Sequence, residues 1–230
     1  MSASYASTGK AVMDDLLVLH GRPIEEWSIS KFGDAESKVY TRRSENPACM
    51  EDILRAATLL KNTTMNHTYA LLAPWLPYRT QWDELLDSKT NILETSDDGL
   101  MRVVHHVTRK KFPISARDTV DVISINRVSP SLLLLASRSI HDFPNAPAEQ
   151  ADVVRTENQL GGYVLEQQGN DVMFTMYFHS DLKLNAPRLI ASVVSAAKPK
   201  FAVDKLRALA KATKDNKPSV SEEHLAQCSL

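Results

Sequence analysis

The sequence predicts an α+β fold. A helical stretch near the start, a long run of strands and a long helix near the end follow one another without the regular strand–helix alternation of a parallel α/β protein. Strand patterning fills the segment from Thr90 to about Asp181, broken at "DDG", "VSPS", "FPNAP" and "QQGN", where turn residues cluster. No Gly/Ser- or Pro-rich linker divides the chain, so residues 10–212 read as one domain, with 1–9 as a flexible start and 213–230 as a disordered polar tail.

The first helix is expected over Lys10 to His20, where Met13, Leu16, Leu17 and His20 share a face before "HGRP" stops it. "IEEWSISKF", "SKVYTRR" and "DILRAATLL" read as strands. "HTYALLAPWLPYRTQWDELL" is helical in composition, but Pro74 and Pro77 split it into two short pieces. "LLLLA" (132–136) shows no alternation, as expected of a strand covered on both faces. In "VMFTMYFHSD", Val172, Phe174, Met176 and Phe178 form an apolar face, and Met173, Thr175, Tyr177 and His179 a mixed one. The mixed face suits either a cavity wall or the rim of a large core. The last helix runs from Pro187 to Ala212, with Leu189, Ile190, Val193 and Val194 on one face and Phe201, Leu206 and Leu209 continuing it. Pro199 should kink or restart it.

Composition narrows the function. The 230 residues are 43% apolar and 24% charged with a net charge of −1, ordinary for a globular protein and against a nucleic-acid surface. Cys49 and Cys228 offer neither a disulfide framework nor zinc spacing, which fits a reducing compartment. "MSASYASTGK" lacks the apolar stretch of a secretory signal, and no apolar run could span a bilayer. A soluble, cytoplasmic protein is therefore expected; the final tripeptide only loosely resembles a peroxisomal signal. Charge is unevenly spread. Between Asn185 and Lys217 eight bases face two acids, a local +6, so the rest of the chain carries −7. A helix with such a polar face suits an anionic membrane surface as well as plain solvent.

The usual catalytic patterns are missing. His105 and His106 are strand neighbours pointing to opposite faces, and "HSD" at 179–181 cannot form a hydrogen-bonded triad within one strand. There is no G-x-S-x-G, H-E-x-x-H or phosphate-binding glycine loop. No catalytic residue, metal or cofactor is expected.

Six segments in order resemble the steroidogenic-acute-regulatory-related lipid transfer (START) domain: "YRTQWD", "FPISARDTV", "SIHDFPNAP", "VVRTENQLGGYVLE", "MYFHSDLKLNAP" and "FAVDKLRALAK". The resemblance spans about residues 10 to 212. It implies a helix-grip fold, a curved antiparallel sheet of about nine strands around the C-terminal helix. Inside would lie a tunnel for one lipid, gated by that helix and the loop before "ARD". It further implies a non-enzymatic, monomeric carrier that touches anionic membranes transiently. Arg109, Lys110, Lys111 and Phe112, with Lys198 and Lys200, would dock on the membrane. Arg117 resembles the family's cavity arginine, with His106 or Asp118 as its partner, and Tyr177 and His179 would add cavity polarity. "YRTQWD" is close to phosphatidylcholine-carrying members, which makes Arg79 the head-group candidate; an ordinary Arg79–Asp83 pair over a core Trp82 competes with that role. Trp82, Met173, Leu189, Val193 and Phe201 would supply apolar cavity or lid surface. Thr119, Gly161 and Gly162 depart from the phospholipid-carrier pattern. A sterol is the competing cargo; a helix-grip cyclase or hydrolase and a ligand sensor are the competing functions.

Because a bilayer hides acyl chains as well as a tunnel does, the ~0.8 kcal/mol per buried CH₂ cancels on transfer. Selectivity must then come from polar groups inside.

Overall fold

The structure, a computed structural model, describes residues 1–87, 90–111, 114–184 and 188–228; side chains 188–192, 194 and 195 fall outside the description. Among the described residues four α-helices, α1 (Ala3–His20), α2 (Met65–Leu72), α3 (Arg188–Asp215) and α4 (Glu222–Gln227), frame ten strands. The strands are β1 (Ser28–Ile29), β2 (Ser37–Arg42), β3 (Ile53–Leu60), β4 (Asn91–Thr95), β5 (Met101–Thr108), β6 (Ala116–Ser129), β7 (Leu132–Ser139), β8 (Val153–Arg155), β9 (Glu157–Gln168) and β10 (Asp171–Asp181). They make one open sheet in the order β1-β2-β3-β10-β9-β7-β6-β5-β4, antiparallel throughout that path; β8 adds to β6 in parallel.

The period-two alternation sorts side chains onto two covered faces. On the inner face Leu54, Ala56, Leu133, Leu135, Leu165, Phe174 and Met176 share a core with Ala202, Val203, Leu206 and Leu209 of α3. On the outer face Leu134, Ala136, Leu160, Val164 and Tyr177 meet Val12, Met13, Leu16 and Leu19 of α1. "LLLLA" is thus apolar throughout because its alternate residues enter different cores. Leu16, Leu206 and Leu209 are fully buried, worth about 1.5–3 kcal/mol each.

Gly162 exists because α1 packs so closely. A Cβ there would lie 2.4 Å from Leu16 Cδ1, while one at Gly161, on the opposite face, would lie 2.5 Å from Ser137 Oγ. Of the two departures from the phospholipid-carrier pattern, Gly162 has this packing cause.

Several expectations are corrected. α1 begins at Ala3 rather than Lys10, and the Tyr5 ring packs 5.4 Å from that of Phe143. "IEEWSISKF" gives a 3₁₀ turn at Ile24–Glu26, closed by Trp27 N–H to Ile24 O at 3.0 Å, and then the two-residue β1. Ile24 and Trp27 lie three apart, a spacing that suits a turn better than a strand. α3 runs through Pro199 without restarting. The tail docks: α4 sits against Tyr78, whose hydroxyl accepts from Ser221 N at 3.0 Å and pairs with His224 Nδ1 at 2.7 Å. Arg127 Nη2 donates to Cys228 O at 3.3 Å, and Cys228 is fully buried in the inner core, where burial pushes its thiol up to about 11.

Candidate functional site

Between the inner face and α3 lies a cavity of about 330 Å³. Its sheet wall comes from alternate residues of β6 (Arg117, Thr119, Asp121, Ile123) and their neighbours His106, Leu135, Ser137, Gly161 and Tyr163. α3 closes it with Phe201, Ala202 and Lys205, and the turn before β4 adds Arg79 and Asp83.

Arg79 is positioned by the 3₁₀ turn Arg79–Gln81, which Pro74 and Pro77 force after α2. Its Nε donates to Asp83 Oδ2 at 3.2 Å, Nη1 to Leu72 O at 3.2 Å and Nη2 to Tyr163 OH at 3.0 Å. Lys205 Nζ reaches the same Asp83 oxygen at 2.9 Å. Burial alone would raise the Asp83 acid, but Lys205 and Arg79 hold it well below the usual carboxylate range. The cluster therefore holds two cations against one anion.

Two neighbours report that positive field. Burial, then the Arg79 charge, His105 and Lys205, push His106 down to about 3, so it is neutral at pH 7. Burial would raise the Tyr163 phenol, yet the charges of Arg79 and Lys205 lower it. Arg117 adds a third cation, 8% exposed. Its Nη1 donates to the carbonyl and hydroxyl of Ser115, its Nε is buried without a partner, and no acid pairs with it among the described residues.

A START domain model matches residues 11–215. The chain belongs to the START domain family. Among solved structures, human StAR-related lipid transfer protein 5 superposes with a TM-score of 0.82 at 21% identity, covering 94% of this chain and all of that one. Human STARD10 gives 0.71 at 16% identity, over 90% of this chain and 81% of that one. A StAR-related lipid transfer protein from Xanthomonas axonopodis gives 0.62 at 16% identity, over 82% and 99% respectively. At such identities these likenesses show the fold. Among curated proteins no sequence match is found. No helix among the described residues is long and apolar enough to cross a membrane.

Within this START fold, Arg79, His106, Arg109, Lys111, Arg117, Lys198 and Phe201 border the cavity. Others do not serve it. Asp118 lies on the opposite face of β6 from Arg117. There it accepts two bonds from Arg155, at 2.8 and 2.7 Å, and lies 2.8 Å from His105 Nε2, so an Arg117–Asp118 pair is excluded. No hydrogen bond joins His106 to Arg117 among the described residues; the cross-strand neighbour of His106 is Thr119, while Arg117 faces Thr108. The mixed face of β10 is the outer one. Tyr177 borders the cavity but its hydroxyl bonds His20 Nδ1 at 3.0 Å under α1, and His179 Nε2 bonds Cys49 O at 3.0 Å. Met173 shares that outer face. Trp82 sits in the inner core and donates Nε1 to Leu71 O at 2.9 Å.

At the rim, Arg109, Lys110 and Lys111 are exposed, and Lys111 and Ile114 exchange backbone bonds of 2.9 and 2.8 Å that close the loop. Phe112 and the Leu189 side chain lie outside the described residues. Val193 is 59% exposed and is not among the cavity-lining residues. Lys198 pairs with Glu51 at 2.6 Å, whereas Lys200 is exposed.

Asp121, Tyr163 and Lys205 were not singled out from sequence, and Asp83 only as the pair of Arg79. One signal was available: Asp121 interrupts the apolar strand "VDVISI". An acid there must be bonded inside or destabilise the sheet.

Proposed function

We propose that this START domain binds one glycerophospholipid, of choline type, and carries it between membranes. The observation that supports this is the buried excess charge: Arg79 and Lys205 against Asp83 alone, on a cavity wall. An uncompensated buried charge costs several kcal/mol, and one phosphodiester supplies the missing anion. Arg79 uses three of its five N–H donors internally, leaving two for phosphate oxygens. The aromatic faces of Phe178, Phe201 and Tyr163 line the same space and can take a quaternary ammonium. Lys111 Nζ already lies 5.5 Å over the Phe201 ring.

In this reading the basic loop and α3 form the gate, because Lys111 and Phe201 touch across it. Docking uses Arg109, Lys110 and Lys200, with exposed Met50 and Val193 contributing apolar contact. A sterol is the second reading, because it is the smaller ligand. Two acyl chains hold about thirty methylenes, each roughly as bulky as a water at ~30 Å³, so they need the gate to open further than one sterol does.

The test is vesicle-to-vesicle transfer of fluorescent phosphatidylcholine and of a fluorescent sterol. Arg79→Met leaves Lys205 and Asp83 balanced, so the excess charge of that cluster disappears, and circular dichroism checks that the domain stays folded. Phosphatidylcholine transfer should fall about tenfold or more, the weight of one charge-assisted hydrogen bond, and sterol transfer should not. Equal loss of both would defeat the phospholipid reading.

A further inference from the structure

Asp121 sits 2% exposed on the cavity side of β6. Every donor that reaches it is uncharged: Ser139 Oγ to Oδ1 at 2.7 Å, Asn158 Nδ2 to Oδ2 at 2.7 Å and Thr119 Oγ1 to Oδ2 at 3.1 Å. Ser139 is held in turn by Asn158 N–H at 2.8 Å, which frees its hydrogen for Asp121. No base pairs with this acid among the described residues, and burial raises it. A carboxylate offers about four lone-pair sites; three are taken and one, on Oδ1, remains beside the cavity.

We propose that Asp121 selects a neutral hydrogen-bonding group, an alcohol hydroxyl, carried in the body of the cargo lipid. The ionised acid accepts from a hydroxyl and the protonated acid donates to one. In either form it disfavours an anion, the opposite preference to Arg79 and Arg117 on the same lining. This rests on the reading that the cavity holds a lipid whose charged head meets the Arg79 cluster.

The register sets the spacing between the two anchors. Tyr163, against which Arg79 rests, lies opposite Leu135, and Leu135 lies opposite Ile125. Asp121 is four residues from Ile125 on β6, roughly 13 Å along the strand at ~3.3 Å per residue, and β6 lies two strands from β9, about 10 Å across the sheet. The ester groups of a glycerophospholipid adjoin its phosphate, so the group that Asp121 reads is a hydroxyl on a chain or ring.

The test is competition by native mass spectrometry on the full chain, using two lipid pairs that differ by one hydroxyl. One pair is phosphatidylcholine with a stearoyl or a 12-hydroxystearoyl chain; the other is cholesterol and its 3-deoxy analogue, which lacks that oxygen. In at least one pair the protein should take the hydroxylated member about tenfold over its partner, the discrimination expected from one buried hydrogen bond. Asp121→Leu should bring that ratio to about one while keeping the plain member bound, and Asp121→Asn should retain the preference. The ratio is internal to each sample, so reduced stability alone does not move it. If Asp121→Leu fails to fold, Asn158→Leu should weaken the same ratio. Equal uptake in both pairs, or a ratio unchanged in the variants, overturns the Asp121 assignment alone. If neither pair binds at all, the lipid reading falls and the assignment falls with it.

Discussion

Asp83→Asn removes the one carboxylate that Arg79 and Lys205 share. The three side chains are 5%, 11% and 19% exposed, so the variant leaves two cations in a low-dielectric site with no counter-charge. Breaking a buried pair in this way costs about 3–5 kcal/mol, and in a domain of this size each kcal/mol lowers the midpoint by roughly 2–4 °C. Thermal unfolding followed by circular dichroism should therefore show a fall of roughly 6–20 °C. The double variant Asp83→Asn/Lys205→Met should recover much of it. Sign and pH follow from the depressed Asp83 acid: its contribution is present above the unfolded value near ~3.9 and disappears as pH falls through the lower folded value. The gap between wild type and Asp83→Asn should hold from pH 7 to 5 and shrink only in strong acid. Adding phosphatidylcholine vesicles should narrow the gap at pH 7, because the phosphate replaces the lost anion. A midpoint within 1 °C of wild type would refute the idea that this cluster is a strained, cation-rich site.

Other perturbations probe separate parts of the structure. Lys110→Glu with Lys200→Glu, both exposed and off the cavity lining, should slow transfer from anionic vesicles about tenfold, each base being worth up to ~1 kcal/mol at such a surface; affinity for a soluble lipid analogue should not change. Gly162→Ala should destabilise by about 1–3 kcal/mol through overpacking on Leu16, measured by urea unfolding, and Leu16→Ala in the same chain should relieve part of that clash. Asp121→Asn should be more stable than wild type at pH 7–8. The raised Asp121 acid contributes stability that is complete below the unfolded value near ~3.9 and lost as pH rises through the folded value, so the two proteins should converge near pH 4 and below.

Much of the sheet was legible because its signals are local. Alternation in "DILRAATLL" marks one buried face, and the unbroken "LLLLA" marks a strand between two cores. The helical spacing of Arg79 and Asp83 announced their pair, and Pro74 and Pro77 announced the break before it. What stayed hidden depends on which face meets which helix. The two faces of β10 differ little in polarity, since Tyr177 and His179 are buried by α1 and by the Cys49 carbonyl, contacts more than a hundred residues away. The tail was equally opaque: "KPSVSEEHLAQC" has too few apolar residues to suggest a core contact, yet one buried thiol and the Tyr78 hydroxyl are enough to dock it. Lys205 looked like one base among many on a solvated helix; only the fold brings it to Asp83.

In the proposed function the excess buried cation of the Arg79 cluster binds one phosphate-bearing lipid. The most direct measurement is native mass spectrometry after incubation with vesicles holding equal phosphatidylcholine and cholesterol. One phosphatidylcholine per chain, absent in Arg79→Met, is the expected result. Cholesterol in its place, or the same occupancy in Arg79→Met as in wild type, would contradict it.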